Sequence, residues 1–111
     1  MAQTKKLEQE QWLEFLSLFS NGNRGRMVSI EIEDTSGEQP IVDAAPLFAI
    51  DYEPVRKGYE LVISTGLDAV DYSHAISAPT EIWQAQDDNG EVTSLEVINQ
   101  DNFRTIIVLK P

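Results

Sequence analysis

Residues 80–110 constrain the fold most, because they read as three successive β-strands joined by two turns. The predicted strands are 81–86, 91–98 and 103–110. The turn at 87–90 contains Asn-Gly between two alternating segments, the strongest short signal for a type I′ hairpin. The sequence therefore predicts an antiparallel meander to which the rest of the chain must fit.

One amphipathic helix is predicted near the N-terminus, over residues 5–21. Apolar side chains recur there at i, i+3, i+4 and i+7: Trp12, Phe15, Leu16 and Phe19. That spacing places them on one helical face, which favours burial against a sheet. Thr4 is the expected N-cap, and the helix should stop near Gly22, in the left-handed conformation.

The middle of the chain predicts further antiparallel strands. Residues 26–34 alternate between apolar and polar side chains, as a half-buried strand does. Residues 47–52 and 59–65 should form a hairpin around a turn at 54–58. Residues 66–79 interrupt the strand pattern and form the longest connection, where functional residues are often found.

These elements predict one α+β domain over residues 1–111. An N-terminal amphipathic helix packs on an antiparallel sheet of about six strands. The sheet is expected to be strongly curled or barrel-like, because curling protects the edges of a meander.

The charge of the chain limits its partners. Eight Lys and Arg residues against nineteen Asp and Glu residues give a net charge of −11. Such a chain repels nucleic acid and anionic membrane surfaces, so neither is an expected partner. The chain has no cysteine, no secretory signal and no apolar run long enough for a membrane span. A cytoplasmic location is therefore expected.

Candidate catalytic residues lie in the long connection. His74 is the only histidine, and Asp68 and Asp71 precede it closely. An Asp–His pair can act in acid–base catalysis because imidazole titrates near neutral pH. The alternative is a histidine with a purely structural hydrogen bond, and it is favoured because no nucleophile motif accompanies His74.

No cofactor or metal is expected from the sequence. The acidic residues 87–91 are spaced too closely for a calcium loop, and their glycine comes too early. A zinc site would have one histidine and no cysteine. The acidic segment is therefore interpreted as a turn.

A possible interaction surface lies where the long connection meets the meander. Its candidate residues are Tyr72, His74, Pro79 and Trp83. Exposed tryptophan is enriched in protein-binding patches. The alternative is that Trp83 packs under the helix.

Short motifs along the chain match a known pattern. They are Trp12-x-x-Phe15, Val28-x-Ile30-Glu31, Pro46-Leu47, His74-x-Ile76-x-x-Pro79 and Gly90-x-Val92. In them the chain resembles family 5335 of the domains of unknown function, small bacterial proteins of about this length from cyanobacteria and proteobacteria. The resemblance implies no known activity, cofactor or partner.

The sequence therefore favours a non-enzymatic protein-interaction or accessory domain that binds an unknown protein partner or forms a homodimer. One alternative is a small-ligand binding or sensing domain, with its site near residues 66–79. A second alternative is a hydrolase or isomerase that depends on His74.

Overall fold

A computed structural model of the protein describes residues 3–110, except for the side chain of Val55. It has one α-helix, α1 (Trp12–Gly22), and one sheet of antiparallel strands. In chain order the strands are β1 (Gln3–Lys6), β2 (Met27–Asp34), β3 (Gly37–Glu53), β4 (Glu60–Thr65), β5 (Tyr72–Ser77), β6 (Pro79–Gln86), β7 (Val92–Asn99) and β8 (Arg104–Leu109). Their order across the sheet is β1-β6-β7-β8-β2-β3-β4-β5. The α+β class with an antiparallel sheet is confirmed.

The predicted meander is present as β6, β7 and β8, which are neighbours in the sheet. Its first turn is not of type I′, because that type needs positive φ at two central residues. Among the described residues, Gly90 has φ of 81° whereas Asn89 is not left-handed. The Gly90 N–H donates to the carbonyl of Asp87 at 3.0 Å, and the Asp87 N–H donates to that of Glu91 at 2.9 Å. The turn is therefore a longer one that ends in a left-handed glycine.

The helix begins later than predicted, at Trp12, because the preceding residues belong to β1. Strand β1 pairs with β6, and the Leu7 N–H extends that pairing to the carbonyl of Ile82 at 2.8 Å. Thr4 lies in β1 and so is not an N-cap. Gly22 remains helical, and the left-handed residue is Gly25, with φ of 88°. Pairing across the sheet satisfies backbone groups that a longer helix would leave exposed along β6.

Strand β3 runs through Pro46 and contains the predicted strand of residues 47–52. Its first half pairs with β2 as far as Pro46, and its second half pairs with β4 from Leu47 onward. Proline cannot donate to a strand ladder, so it suits the point where β3 changes partner. The Leu47 N–H donates instead to the carbonyl of Arg26 at 2.8 Å.

The prediction of a strongly curled or barrel-like sheet of about six strands is wrong. The sheet has eight strands among the described residues and is open, with β1 and β5 as its edges. Residues 66–79, predicted to lack a regular strand, contain β5. Closing a barrel requires the two edge strands to pair along their length. Here β1 has only four residues, and it pairs with β6 alone.

The core lies between α1 and the inner face of the sheet. Its largest buried side chains include Trp12, Leu16, Ile30, Leu47, Leu61, Ile63, Ile82, Leu95 and Ile107. The indole N–H of Trp12 donates to the carbonyl of Leu7 at 3.2 Å, and its ring meets that of Tyr52 edge to face at 5.5 Å. Within residues 3–110 no helix is both long and apolar enough to cross a membrane.

Candidate functional site

His74 lies in the middle of β5, opposite Ile63 of β4. Its Nε2 atom lies 3.5 Å from the Thr105 hydroxyl of β8, and the residue is half-buried. Burial lowers the pKa of His74 below its ordinary value of 6.5, because an apolar environment disfavours the charged imidazolium. His74 is therefore mostly neutral at neutral pH.

The structure does not bring His74 together with the two acidic residues proposed as its partners. No hydrogen bond or ion pair joins His74 to Asp68 or Asp71 within the described residues, and both aspartates are exposed. The hydroxyls of Ser73 and Ser64, on neighbouring positions of β5 and β4, pair with each other at 3.3 Å. This arrangement lacks the oriented Asp–His pair that acid–base catalysis needs.

A small cleft of about 250 Å³ lies beside His74. Its lining includes Ile32, His74, Ile76, Asn99, Asp101, Phe103 and Thr105. The wall opposite β5 is a turn that Asn99 organises, because its Oδ1 accepts the backbone N–H groups of Asp101 and Phe103, each at 3.0 Å. The cleft therefore lies between the β5 edge and a turn fixed by hydrogen bonds.

A larger hollow of about 700 Å³ lies elsewhere, beside the start of α1. Leu13, Tyr52 and Pro54 supply its apolar lining, and Arg56 and Lys57 border it. It shares no lining residue with the His74 cleft. This larger hollow is thus not beside residues 66–79.

The outer edge of β5 carries unpaired backbone groups. The Ala78 N–H donates to the carbonyl of Tyr59 at 2.9 Å, which marks these two residues as a hydrogen-bonded pair. In an antiparallel ladder such pairs recur at every second residue, so His74 and Ile76 bond to β4. Ser73, Ala75 and Ser77 then direct their N–H and C=O groups away from the sheet, and all three are exposed.

The two edges of the sheet differ in how well they are protected. Strand β1 is short and carries Lys5 and Lys6, and lysine on an edge discourages pairing with other chains. Strand β5 has six residues and no lysine, arginine or proline. The loop before it exposes Leu67 and Val70 by 68% and 47%, and Tyr72 at its start by 40%. An unprotected edge and an apolar patch therefore lie side by side.

The negative charge is concentrated on the part of the chain that includes β5. Residues 58–103 contain nine of the nineteen acidic residues and none of the eight Lys and Arg residues, so they carry −9 of the net −11. This asymmetry of net charge was not predicted, because the acidic residues are spread along the whole chain. Only the absence of Lys and Arg from residues 58–103 reveals it. Asp68 and Asp71, next to the β5 edge, form no ion pair among the described residues.

Trp83 lies apart from the His74 cleft. On β6 it faces away from the core, since its neighbours Ile82 and Gln84 are the buried residues. Its indole N–H donates to Glu81 at 3.1 Å, and it borders a separate hollow. Trp83 therefore does not pack under the helix, which was the alternative prediction. It also lines a different hollow from the cleft beside His74.

The other two predicted interaction residues differ in accessibility. Tyr72 is exposed at the start of β5, whereas Pro79 is buried at the start of β6, opposite Asn99. Of these two residues, Tyr72 alone therefore adds accessible surface to the β5 edge.

The acidic turn between β6 and β7 uses its first carboxylate internally. Asp87 Oδ1 accepts the backbone N–H groups of Asn89 at 2.9 Å and of Glu91 at 3.1 Å. Within the part of the chain that the structure describes, no group of three or more His, Cys, Asp or Glu side chains could hold a metal ion.

Comparison with known proteins places the chain in a family whose activity is not known. The family model described as "Family of unknown function (DUF5335)" matches residues 3–111. An uncharacterised protein of Aquifex aeolicus (strain VF5) is 29% identical over 109 residues, which cover 97% of this chain and 93% of that protein. No solved structure matches the chain significantly.

Proposed function

Because the chain belongs to the family of unknown function DUF5335, its role has to be argued from its own surface, and we propose a non-enzymatic protein-interaction domain. In this proposal the domain accepts an extended segment of another protein chain along β5. The observation that carries it is the exposed edge of Ser73, Ala75 and Ser77, whose backbone donors and acceptors have no strand partner within residues 3–110.

Strand addition follows from the chemistry of such an edge. An extended peptide laid beside β5 exchanges backbone hydrogen bonds with it, which supplies affinity for any sequence able to extend. Natural sheets usually prevent the addition of a foreign strand at their edges with charged residues, proline or a bulge. The absence of these devices from β5, and their presence as Lys5 and Lys6 on β1, supports a β5 edge that is kept open for binding.

The other two candidate functions have less support. A catalytic role for His74 lacks an oriented carboxylate partner. A small-ligand role near residues 66–79 has only a cleft of about 250 Å³, which is below the roughly 300–1,000 Å³ of ordinary small-molecule pockets. The cleft suits one side chain of a bound segment better than a whole ligand.

The net charge of −11 makes nucleic acid and anionic membranes poor partners, so a protein partner is proposed. A cytoplasmic location belongs to the same proposal, since the chain has no cysteine to form disulfides.

The test is to block the β5 edge without disturbing β4. Ala75→Pro removes one outward N–H and leaves the bonds to β4 in place. Ala75→Thr is the matched control, because it keeps the N–H and adds a side chain of similar size. Each protein, with a purification tag, would be expressed in the cells of origin, crosslinked and recovered.

We expect the wild type and Ala75→Thr to recover the same protein and Ala75→Pro to lose it. In the recovered complex, hydrogen exchange at the amides of Ser73, Ala75 and Ser77 should slow, because they become bonded. Equal recovery by Ala75→Pro, or unchanged exchange at these three amides, would contradict strand addition.

A further inference from the structure

We infer the chemistry of the segment that β5 accepts, and this inference rests on the proposed strand addition. The segment belongs to a different protein and carries Lys or Arg near the end that lies beside Asp68 and Asp71. Further along it carries one apolar side chain that fills the cleft beside His74.

The first step rests on charge complementarity. The β5 edge lies inside residues 58–103, which carry nine acids and no cation. Asp68 and Asp71 are exposed next to one end of β5, and Glu60 lies opposite Ser77 at the other end. Arg56 and Lys57, both exposed in the turn before β4, lie near that second end. A strand laid along this edge therefore meets uncompensated negative charge beside Asp68 and Asp71, which favours Lys or Arg there and rejects acidic residues at that end.

The same charges argue against a second copy of the chain. Two β5 strands paired antiparallel about Ala75 would bring Asp71 of each copy to the far end of β5 in the other. Glu60 is the neighbouring residue there, on β4. Asp71 of each copy would then approach Glu60 of the other, and the paired β5 strands would offer it no Lys or Arg, because residues 58–103 contain none.

The apolar side chain follows from the shape of the cleft. Side chains of an added strand alternate between the two faces of the sheet, so every second one points toward the inner face. Beyond the edge on that face lies the cleft of about 250 Å³ lined by Ile76, Phe103 and Ile32. Asp101 in this lining is exposed, and His74 is mostly neutral because burial lowers its pKa, so the buried part of the cleft suits an apolar group.

The inference is tested with a displayed library of random segments of about ten residues. Selection on the wild-type domain is followed by counter-selection on Ala75→Pro, so that only binders that use the β5 edge remain. We expect these binders to be enriched in Lys and Arg near one end and in one apolar residue further along. Their affinity should fall roughly tenfold between about 50 mM and about 500 mM salt.

Two pairs of variants separate the charge from the cleft. Asp68→Asn with Asp71→Asn should weaken the selected peptides and reduce their salt dependence, whereas Glu8→Gln with Glu14→Gln, on the exposed part of the helical region, should not. Phe103→Ala opens the cleft and should weaken binding roughly tenfold. Val108→Ala removes a similarly exposed apolar side chain outside the cleft and should have no effect.

Different failures have different meanings. Binders that depend on the edge but lack basic residues, or that ignore Phe103→Ala, would overturn the inference and leave strand addition standing. A dimer in sedimentation that Ala75→Pro dissociates would assign the edge to a second copy, and would also overturn it. If no segment binds in a way that Ala75→Pro abolishes, both the inference and the proposed function fail.

Discussion

The imidazole of His74 on β5 lies 3.5 Å from the hydroxyl of Thr105 on β8, although three strands separate β5 from β8 in the order of the sheet. The contact is possible because β3 pairs with β2 through one half and with β4 through the other. Strand β5 thereby comes to lie beside the turn between β7 and β8. The cleft, the edge and the only histidine therefore adjoin one another through tertiary structure alone.

Folding stability should depend on the ionisation of His74. Its pKa is lowered in the folded state, so between that value and 6.5 the unfolded chain binds more protons than the folded one. The contribution of His74 to folding stability is then fully present above about pH 6.5 and is lost as the pH falls toward the folded pKa. The free energy of unfolding, measured by urea titration at several pH values, should fall more steeply for the wild type than for His74→Gln. Both proteins keep Asp101, which lines the same cleft, so the difference between the two curves reports on His74 alone. Parallel curves would contradict the prediction.

Gly66→Ala should strongly destabilise the loop that leads into β5. Gly66 has φ of 145°, where side chains are strained, and an added Cβ would collide with the carbonyl of Ala69. We expect a loss of about 2–3 kcal/mol in urea unfolding. Gly22→Ala is the matched control, because Gly22 is helical with open space around it, and it should stabilise by up to about 1 kcal/mol. Equal effects of the two substitutions would show that the loop conformation of Gly66 is unimportant.

Ser20→Ala should weaken the attachment of α1 to β3. The Ile50 N–H donates to Ser20 Oγ at 3.0 Å, and both residues are buried. Removing the hydroxyl leaves a buried donor without a partner, which costs about 1–3 kcal/mol. Ser17→Ala, on the exposed face of the same helix, should stay within about 0.5 kcal/mol of the wild type. A small effect at Ser20, measured by thermal and urea unfolding, would mean that water replaces the hydroxyl.

The regular part of the fold was predictable from local pattern. Strand β2 alternates clearly, and turn residues bound the apolar segments of β4, β7 and β8, so their positions follow from the sequence. The predicted helix was too long at its start because Lys5 and Lys6 fit a helical surface as well as an edge strand. Strand β5 was missed because Gly66, two aspartates and Pro79 around it resemble a loop.

The candidate site was predictable only in part. The sequence singled out His74 and Tyr72, and both lie on β5. It also grouped them with Trp83, which lies on β6 with its side chain turned away from the core. Alternation along one strand cannot show which face becomes the inner one. The charge asymmetry of residues 58–103 was present in the sequence throughout, but it gained meaning only when an open edge was found inside that region.

The sequence by itself determined the α+β class, the C-terminal meander and the strongly acidic character of the chain. Each depends on local alternation, turn chemistry or composition, which need no distant partner. The tertiary structure alone decided that residues 3–6 and 72–77 are the two edge strands, and that a cleft adjoins the second. The physical reason is that a strand is completed by hydrogen bonds to another strand, here about eighty residues away for β1. Such non-local bonds leave little trace in a short sequence segment.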